Sequence, residues 1–195
     1  MSTKIAINGF GRIGRCVVRV LAERGIKDLE LVAINDLTDA KTLAHLYNYD
    51  TVHGRAKQRA TALEGAIDFA GKKAKILAER DPAKLPWREL GVDIVFECTG
   101  LFTDKEQCMK HTAGGAKKVL ISAPAKNHDL TIVLGVNQDQ YDAGKHHILS
   151  NGSCTTNCLA PVAKVLNDNF VIKQGLMTTI HSYTNDQAVL DIPHR

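Results

Sequence analysis

The sequence feature that most constrains the fold is a glycine pattern at residues 9–14, Gly-Phe-Gly-Arg-Ile-Gly. The residues before it, Lys4–Asn8, form a short apolar run that predicts a buried strand. The residues after it, Arg12–Arg24, place apolar side chains on one helical face, and Gly25 predicts the end of that helix. A strand, a glycine-rich turn and a helix in this order are typical of the phosphate-binding start of a dinucleotide-binding domain.

Each glycine of this pattern has a separate physical reason. Gly9 permits the tight turn after the strand, because glycine adopts backbone angles that other residues avoid. Gly11 lets the backbone approach a pyrophosphate closely, and Gly14 lets the helix pack against the strand. The first turn of the helix then offers unpaired N–H groups and a partial positive charge to the phosphates.

A carboxylate strengthens the prediction of a cofactor site. Asp36 follows the second predicted strand, Leu29–Asn35, at the spacing from the glycines that such domains use. A carboxylate there accepts hydrogen bonds from both ribose hydroxyls and repels a 2′-phosphate, which favours NAD over NADP. In the alternative interpretation, Asp36 only caps the helix that begins near Thr38 and Asp39.

The rest of the pattern predicts an α/β fold. Apolar strands alternate with helices, and this order indicates a Rossmann-type parallel sheet with helices on both faces. Two short antiparallel strands are predicted at Ala66–Phe69 and Ala74–Ala78, and Val171–Ser182 is strand-like without a helical period. The other predicted strands are Val92–Glu97, Lys118–Ser122 and Thr131–Leu134, and the other predicted helices are Asp39–Tyr47, Asp104–His111 and Thr155–Asn167.

Composition argues against several classes of protein. The net charge is +4, and the densest basic cluster favours a solvated face over a nucleic-acid groove, because no aromatic residues interleave with it. That basic cluster comprises Arg55, Lys57, Arg59, Lys72, Lys73 and Lys75. An odd count of five cysteines without a secretory signal argues against a disulfide framework, and no apolar run is long enough to cross a membrane. These observations predict a reduced, cytoplasmic protein.

A second group of residues points to nucleophilic catalysis. The turn at residues 150–152 delivers Cys154 to the start of a predicted helix, where the helix dipole stabilises a thiolate and lowers the thiol pKa. His181 lies at the end of a strand-like run and can act as the base beside that thiol. Cys158, one helical turn later, is interpreted as a buried small apolar residue, and no metal site is predicted, because further ligands at suitable spacing are missing. A structural role is also predicted for Cys16, Cys98 and Cys108.

Three motifs occur in an order that is typical of one enzyme family. They are Ala-Ile-Asn-Gly-Phe-Gly-Arg-Ile-Gly-Arg at residues 6–15, Ser-Asn-Gly-Ser-Cys-Thr-Thr-Asn-Cys at residues 150–158, and His-Ser-Tyr-Thr-Asn-Asp-Gln at residues 181–187. Together they resemble the phosphorylating glyceraldehyde-3-phosphate dehydrogenase family, and the cysteine motif is the most specific of the three. Gly152 departs slightly from the family pattern, which more often has alanine there.

The resemblance implies a role for each matching residue. Cys154 is implied as the nucleophile and His181 as its base, with Arg12 and Ile13 near the pyrophosphate of NAD and Asp36 on its adenosine ribose. The full set of implied NAD contacts is Gly9, Gly11, Arg12, Ile13, Gly14, Asp36, Arg80, Thr99 and Ser122. The implied contacts to phosphate groups of the substrate or to inorganic phosphate are Ser153, Thr155 and Thr184.

The resemblance also implies a reaction and a domain organisation. Cys154 attacks the aldehyde of D-glyceraldehyde 3-phosphate, hydride passes to NAD, and inorganic phosphate releases the thioester as 1,3-bisphosphoglycerate in glycolysis. Residues 1–150 would form the NAD-binding domain, and residues 151–195 the beginning of an α+β substrate domain. Members of the family form tetramers and are longer than 195 residues, so we expect this chain to be the front part of a longer protein.

Three alternatives remain open at this stage. The chain binds NAD without catalysing a reaction, it acts on erythrose 4-phosphate, or its basic cluster binds RNA. The residues Tyr183-Thr184-Asn185 keep the triose-phosphate pattern and argue against the second alternative. The sparse aromatic residues argue against the third as the main role.

Overall fold

Parallel strands joined by helices dominate the structure, as the alternation in the sequence predicts. A computed structural model describes residues 2–184. The strands are β1 (Thr3–Asn8), β2 (Leu29–Asn35), β3 (Tyr49–Asp50), β4 (Gly54–Arg55), β5 (Ala60–Leu63), β6 (Ala66–Phe69), β7 (Lys72–Leu77), β8 (Ile94–Glu97), β9 (Lys118–Ile121), β10 (Leu130–Thr131) and β11 (Ile148–Ser150). The helices are α1 (Arg12–Glu23), α2 (Ala40–Asn48), α3 (Trp87–Leu90), α4 (Lys105–Ala113) and α5 (Cys154–Phe170), with single 3₁₀ turns at Pro82–Lys84 and Gln138–Gln140.

The large sheet has β1 near its centre. Its strand order is β10-β11-β9-β8-β1-β2-β7-β6-β5, and β3 pairs separately with β4. The strands from β10 to β7 are parallel, whereas β6 and β5 continue the sheet antiparallel, which confirms the predicted Rossmann-type sheet and its short antiparallel strands. Because β2 lies on one side of β1 and β8 on the other, the order reverses between β1 and β8. Ligands of such sheets bind outside the carboxyl ends of the strands at that reversal.

Apolar cores cover both faces of the sheet. Successive residues of a strand point to opposite faces, and Ala6 and Ile7 accordingly belong to different clusters. Ile7 packs with Val18 of α1 and Leu43 of α2, whereas Ala6 packs with residues that include Trp87. A shift of one residue in register would move these apolar side chains to the opposite face of the sheet. Burial of the correct face therefore fixes the register, and this register brings the carboxyl ends of β1, β2 and β8 together.

Two predicted strands differ from the structure. The run Thr131–Leu134 is reduced to β10, because the Asn137 side chain bonds the Thr131 carbonyl and the Val133 N–H and so occupies groups that a longer strand would need. The prediction for Val171–Ser182 is wrong, since residues 171–184 have no regular structure. Within residues 2–184 that run has no neighbouring strand, and an unpaired strand leaves its backbone groups without partners.

The basic cluster has one aromatic neighbour that the sequence pattern did not indicate. The guanidinium groups of Arg55 and Arg59 lie 5.9 and 5.8 Å from the centroid of the Tyr49 ring. Pairing of β3 with β4 brings Tyr49 opposite Arg55, so one aromatic ring lies beside these charges although none interleaves with them in the sequence. In the part of the chain that the structure describes, no helix is long and apolar enough to cross a membrane.

Candidate functional site

The glycine turn between β1 and α1 has the geometry that its sequence predicts. Gly9 has a φ of +91°, and a Cβ atom there would lie 2.8 Å from the backbone nitrogen of Thr99. A Cβ atom on Gly14 would lie 2.3 Å from the carbonyl oxygen of Gly9. Both positions therefore require glycine, the first for the turn and the second for the close packing of α1 on β1.

Gly11 is different, because neither its backbone angles nor its neighbours require a glycine at this position. Its φ is −68°, and a Cβ atom there would meet nothing within 4 Å. The space above this residue is open, and α1 begins at the next residue, Arg12. An open approach to the N–H groups of a helix start suits a phosphate group, as the glycine pattern predicts.

A cavity of about 350 Å³ opens beside this turn, at the carboxyl ends of β1, β2 and β8. Among the residues predicted to contact a cofactor, its walls contain Gly9, Gly11, Asp36, Arg80 and Thr99. The other predicted cofactor residues, which do not line it, are Arg12, Ile13, Gly14 and Ser122. Further lining residues that the sequence did not indicate are Asn8, Asn35, Leu37, Glu79, Cys98, Leu101 and Phe102.

Asp36 holds the glycine turn and faces the cavity. One carboxylate oxygen accepts the Phe10 N–H at 2.8 Å, and the other accepts the Thr38 N–H at 3.0 Å. The cap of α2 is Asp39 instead, whose side chain accepts the Thr42 N–H. The alternative in which Asp36 merely caps that helix is therefore wrong, and its carboxylate retains lone pairs for hydroxyl groups in the cavity.

Arg12, the first residue of α1, does not line the cavity, and its charge is partly paired. Its guanidinium donates to both carboxylate oxygens of Asp50, at 3.2 and 3.0 Å. The Asp50 carboxylate also accepts the N–H groups of His53 and Val52, and these bonds with Arg12 hold the pKa of that carboxyl well below its ordinary value. Ile13 is exposed beside it, whereas Ser122 lies at the end of β9, where its N–H donates to the Glu97 carbonyl.

The cavity residues missed from the sequence include polar residues at strand ends. Asn8, Asn35 and Glu97 are the last residues of β1, β2 and β8, and the register places them side by side. A polar residue that closes an apolar strand is a usable signal, because the carboxyl ends of parallel strands meet at one edge. Their pairing was not predictable, since it depends on the strand order.

The predicted nucleophile and base meet in the structure. Cys154 is the first residue of α5, and its Sγ lies 3.0 Å from Nε2 of His181. The other ring nitrogen, Nδ1, is 2.5 Å from the Ser182 carbonyl oxygen. Because a carbonyl only accepts, Nδ1 carries a proton and donates, so in the neutral imidazole Nε2 is the acceptor that faces the thiol.

The surroundings of Cys154 favour its thiolate form. The hydrogen bond with His181 has the largest effect and, with a backbone hydrogen bond from Thr155, it lowers the pKa of the thiol below its ordinary value. Ser153 caps α5 by accepting the Thr156 N–H at 2.9 Å. Thr155 follows the thiol, and Thr184 lies exposed three residues beyond His181.

The remaining cysteines differ in burial: Cys98 and Cys108 are buried, Cys16 is half-buried and Cys158 is exposed. Burial raises the pKa of the Cys98 and Cys108 thiols to about 12 each, in agreement with a structural role. The interpretation of Cys158 as buried is wrong, since it is exposed on α5. No residue of α5 is buried among the described residues, so the helical spacing indicated a common face but not a covered one. Residues 2–184 contain no group of three or more potential metal-binding side chains.

Comparison with known proteins places both halves of this site in one family. Residues 3–105 match the family profile described as glyceraldehyde 3-phosphate dehydrogenase, NAD binding domain. Residues 153–195 match the profile described as glyceraldehyde 3-phosphate dehydrogenase, C-terminal domain. The two matches fall on the glycine turn and on the thiol helix, so they cover both motifs.

Individual relatives are similar over the whole chain. A glyceraldehyde-3-phosphate dehydrogenase of Streptomyces coelicolor is 60% identical over 195 residues, which is 100% of this chain and 58% of the relative. One from Bacillus cereus is 60% identical over 193 residues, 99% of this chain and 57% of the relative. One from Geobacillus stearothermophilus is 58% identical over 100% of this chain and 58% of the relative. This chain therefore spans less than two thirds of the length of these relatives.

Proposed function

Since this chain belongs to the glyceraldehyde-3-phosphate dehydrogenase family, we propose that it is the cofactor-binding and nucleophile-bearing part of an enzyme that oxidises D-glyceraldehyde 3-phosphate. Its cofactor is NAD, and the other substrate is inorganic phosphate. The observation that carries the proposal is the 3.0 Å contact between Cys154 Sγ and His181 Nε2 at the start of α5. A thiol beside an imidazole at a helix start is an activated nucleophile.

The cavity beside the glycine turn suits NAD. Gly11 offers open backbone at the start of α1 for the pyrophosphate, and Arg12, the next residue, adds a positive charge. Asp36 presents a carboxylate for the ribose hydroxyls, while Arg80 and Thr99 form other parts of the wall. When bound, NAD accepts the hydride that the oxidised carbon releases.

The thiol and the imidazole divide the chemistry of the aldehyde. Cys154 as thiolate adds to the aldehyde carbon, and its lowered pKa keeps a larger share of it ionised near neutral pH. Nε2 of His181, held by the Nδ1 bond to the Ser182 carbonyl, takes the thiol proton and returns it to the alkoxide that the addition leaves. Nε2 then removes that proton again from the hydroxyl group as hydride leaves the carbon. Inorganic phosphate then displaces the thiolate from the thioester, which leaves an acyl phosphate and restores Cys154.

Further parts of the proposal follow from the resemblance and from composition. We assign residues 1–150 to the NAD-binding domain and residues 151–195 to the beginning of the substrate domain; the large sheet ends with Ser150 and α5 starts at Cys154. The proposed phosphate contacts are Ser153, Thr155 and Thr184. Each of them lies within three residues of Cys154 or His181 in the sequence. Asn185 of the triose-phosphate pattern lies outside the described residues. A cytoplasmic location agrees with five free cysteines, and assembly as a homotetramer stays a prediction.

An assay of NADH formation tests the proposal. The chain is incubated with NAD, D-glyceraldehyde 3-phosphate and inorganic phosphate, and absorbance of NADH is followed. Cys154→Ser should reduce the rate at least about a thousandfold and leave NAD binding intact, because a hydroxyl cannot replace the thiolate. Cys158→Ser is the matched control on the same helix and should retain the rate of the parent.

Three outcomes would contradict the proposal. Turnover of Cys154→Ser near the parent rate would remove the thiol from the mechanism. NAD binding by the parent without any NADH formation would favour the alternative of an NAD-binding module without catalysis. A higher kcat/KM with erythrose 4-phosphate than with glyceraldehyde 3-phosphate would show that erythrose 4-phosphate is the preferred aldehyde.

A further inference from the structure

A row of buried polar side chains runs along the carboxyl edge of the sheet, beside the cofactor cavity. Its central members are Asn35, Asn8 and Glu97, which are 5%, 2% and 1% exposed. Buried polar groups without hydrogen-bond partners are costly, so their partners decide what the row does. Each donor and acceptor in it can be assigned from groups that have only one possible role.

One end of the row is fixed by backbone groups. The Glu79 N–H donates to Asn35 Oδ1 at 2.8 Å, so the Asn35 amide nitrogen must donate. It donates to the Glu79 carbonyl at 2.8 Å and to Asn8 Oδ1 at 2.7 Å. The Asn8 amide nitrogen then donates to Glu97 Oε2 at 2.6 Å. The three bonds from the Glu79 N–H through Asn35 and Asn8 therefore run in one direction and end at Glu97.

The other end is fixed by an indole. Nε1 of Trp87 can only donate, and it donates to Nδ1 of His111 at 3.0 Å. Nδ1 is therefore unprotonated, and the proton of His111 resides on Nε2, which donates to Glu97 Oε2 at 3.0 Å. Trp87 and His111 are both 0% exposed, so water does not complete this arrangement.

The second oxygen of Glu97 reaches the cavity wall. Glu97 Oε1 accepts the Thr99 N–H at 2.8 Å and also the Thr99 hydroxyl. The hydroxyl oxygen in turn accepts the Leu101 N–H at 3.0 Å. Thr99 and Leu101 line the cavity, and Thr99 supplies two of the three atoms, its nitrogen and its Cγ2, that leave no room for a side chain at Gly9. The Glu97 carboxylate thus joins the buried row to the loop of residues 98–101.

We propose that Glu97 is a positioning residue for the cofactor, which fixes the loop of residues 98–101 through Thr99 and so shapes the wall of the cavity against the glycine turn. The inference rests on the NAD-binding part of the proposed function and is independent of the thioester chemistry. A loop that is already ordered does not lose conformational freedom when NAD binds, so its order contributes to affinity.

The amide isostere removes this function while keeping the shape of the side chain. In Glu97→Gln, one carboxylate oxygen becomes an NH₂ group. Towards the row it would face donors from Asn8 and His111, and towards the loop it would face the Thr99 N–H. The loop is partly open to water, whereas the row is fully buried, so the loss falls on Thr99.

Two measurements on the full chain test the inference. Isothermal titration with NAD should give a Kd about tenfold higher for Glu97→Gln, as expected if the loop holds its binding conformation only about a tenth of the time. Amide exchange followed by NMR without NAD should show the Thr99 N–H exchanging at least about tenfold faster than in the parent. Both are made where circular dichroism shows the variant fully folded.

Trp87→Phe is the matched control. It removes a buried hydrogen bond of the same row at the end far from the cavity, and should leave the Kd for NAD within about twofold of the parent.

Parent-like NAD affinity and Thr99 exchange in Glu97→Gln would overturn the inference. Equal loss of affinity in Trp87→Phe would also overturn it, because the effect would then reflect general loosening. If NAD binding to the parent is too weak to titrate, the Thr99 exchange alone decides. Cys154 takes no part in either measurement, so the thioester proposal fails or stands separately.

Discussion

The sheet region, residues 3–150, and the thiol segment, residues 154–184, hold their functional groups in different ways. In the sheet region, residues beside the glycine turn such as Ile7 and Phe10 are at most 1% exposed. In the thiol segment no residue of α5 is buried, and Leu159 and Phe170 are 41% and 78% exposed. The glycine turn is therefore fixed by packing from many sides, whereas Cys154 is placed mainly by its own helix.

The difference matters for what each site can do within these residues. The cofactor cavity is shaped by buried contacts, such as those that exclude a side chain at Gly9 and Gly14. The contact of Cys154 with His181 joins two exposed side chains and depends on local hydrogen bonds. A catalytic pair keeps its geometry best when surrounding side chains lock its rotamers, so we expect the cavity to be the more rigid of the two sites.

Amide hydrogen exchange should give the largest contrast between the two regions. The N–H groups of β1 and β8 can exchange only when the sheet opens, whereas a helix of 17 residues with no buried residue is marginal in water. We expect the amides of Ile7 and Val95 to exchange at least about a thousandfold more slowly than those in the middle of α5. NMR or mass spectrometry of the chain measures this. Similar protection in both regions would show that α5 is packed in solution.

A matched pair of leucine substitutions should sharpen the same contrast. Leu43 is 2% exposed in the core of the sheet region, and Leu166 is 46% exposed on α5. Leu43→Ala should lower the free energy of unfolding by about 2–5 kcal/mol, because it removes buried methyl groups and leaves a cavity. Leu166→Ala should change it by less than about 0.5 kcal/mol. Urea denaturation measures both free energies of unfolding. An equal loss of stability for both variants would mean that Leu166 is buried in a core.

The two regions also differ in how far the sequence predicted them. The bounds of β2, Leu29–Asn35, agree with the prediction, because a parallel strand inside a sheet is mostly apolar, as Leu31–Ile34 are here. The glycine turn was predictable because it depends on local backbone geometry. The strand expected within Val171–Ser182 failed because strand formation needs a partner, which local sequence does not show.

The polar row shows a second limit of local prediction. Asn8 and Glu97 are 89 residues apart and meet only because β1 lies next to β8. His111 gave no signal from its neighbours in the sequence, yet it is fully buried between Trp87 and Glu97. Spacing of motifs indicated candidate residues around the cavity, but not the residues that hold them in place.

The reactivity of two thiols on α5 tests whether the Cys154 pair persists in solution. Cys154 and Cys158 are both exposed, and the pKa of Cys154 is lowered chiefly by its hydrogen bond with His181. At pH 7 iodoacetamide should alkylate Cys154 about tenfold faster than Cys158, as read by peptide mass spectrometry. A lowered pKa means that Cys154 is thiolate already below the ordinary thiol value of about 8.5, so its rate should reach half its maximum below that pH.

A variant that lacks the imidazole is the control for this prediction. His181→Ala should raise the pH at which Cys154 reaches half its maximal rate, and should bring the two thiols within about threefold of each other at pH 7. The rate of Cys158 should not change. An unchanged pH profile for Cys154 would mean that the helix start alone activates the thiol and that His181 is not its partner.

The smallest effect is expected from two ion pairs, one in each region, in which the Asp50 side chain is 4% exposed and the Asp168 side chain is 52% exposed. Asp50 pairs with Arg12 and also accepts the N–H groups of Val52 and His53, whereas Asp168 pairs only one turn away with Lys164 within α5. Asp50→Asn should lower the free energy of unfolding by about 1 kcal/mol, and Asp168→Asn by no more than about 0.3 kcal/mol.

The pKa of Asp50 is held low, so its contribution is present above the ordinary carboxyl pKa of about 4 and is lost as the pH falls below it. Urea titrations at pH 7 and pH 3 should therefore show the cost of Asp50→Asn shrinking in acid. An Asp168→Asn cost as large as that of Asp50→Asn would mean that α5 unfolds together with the sheet and that the two regions form one cooperative unit.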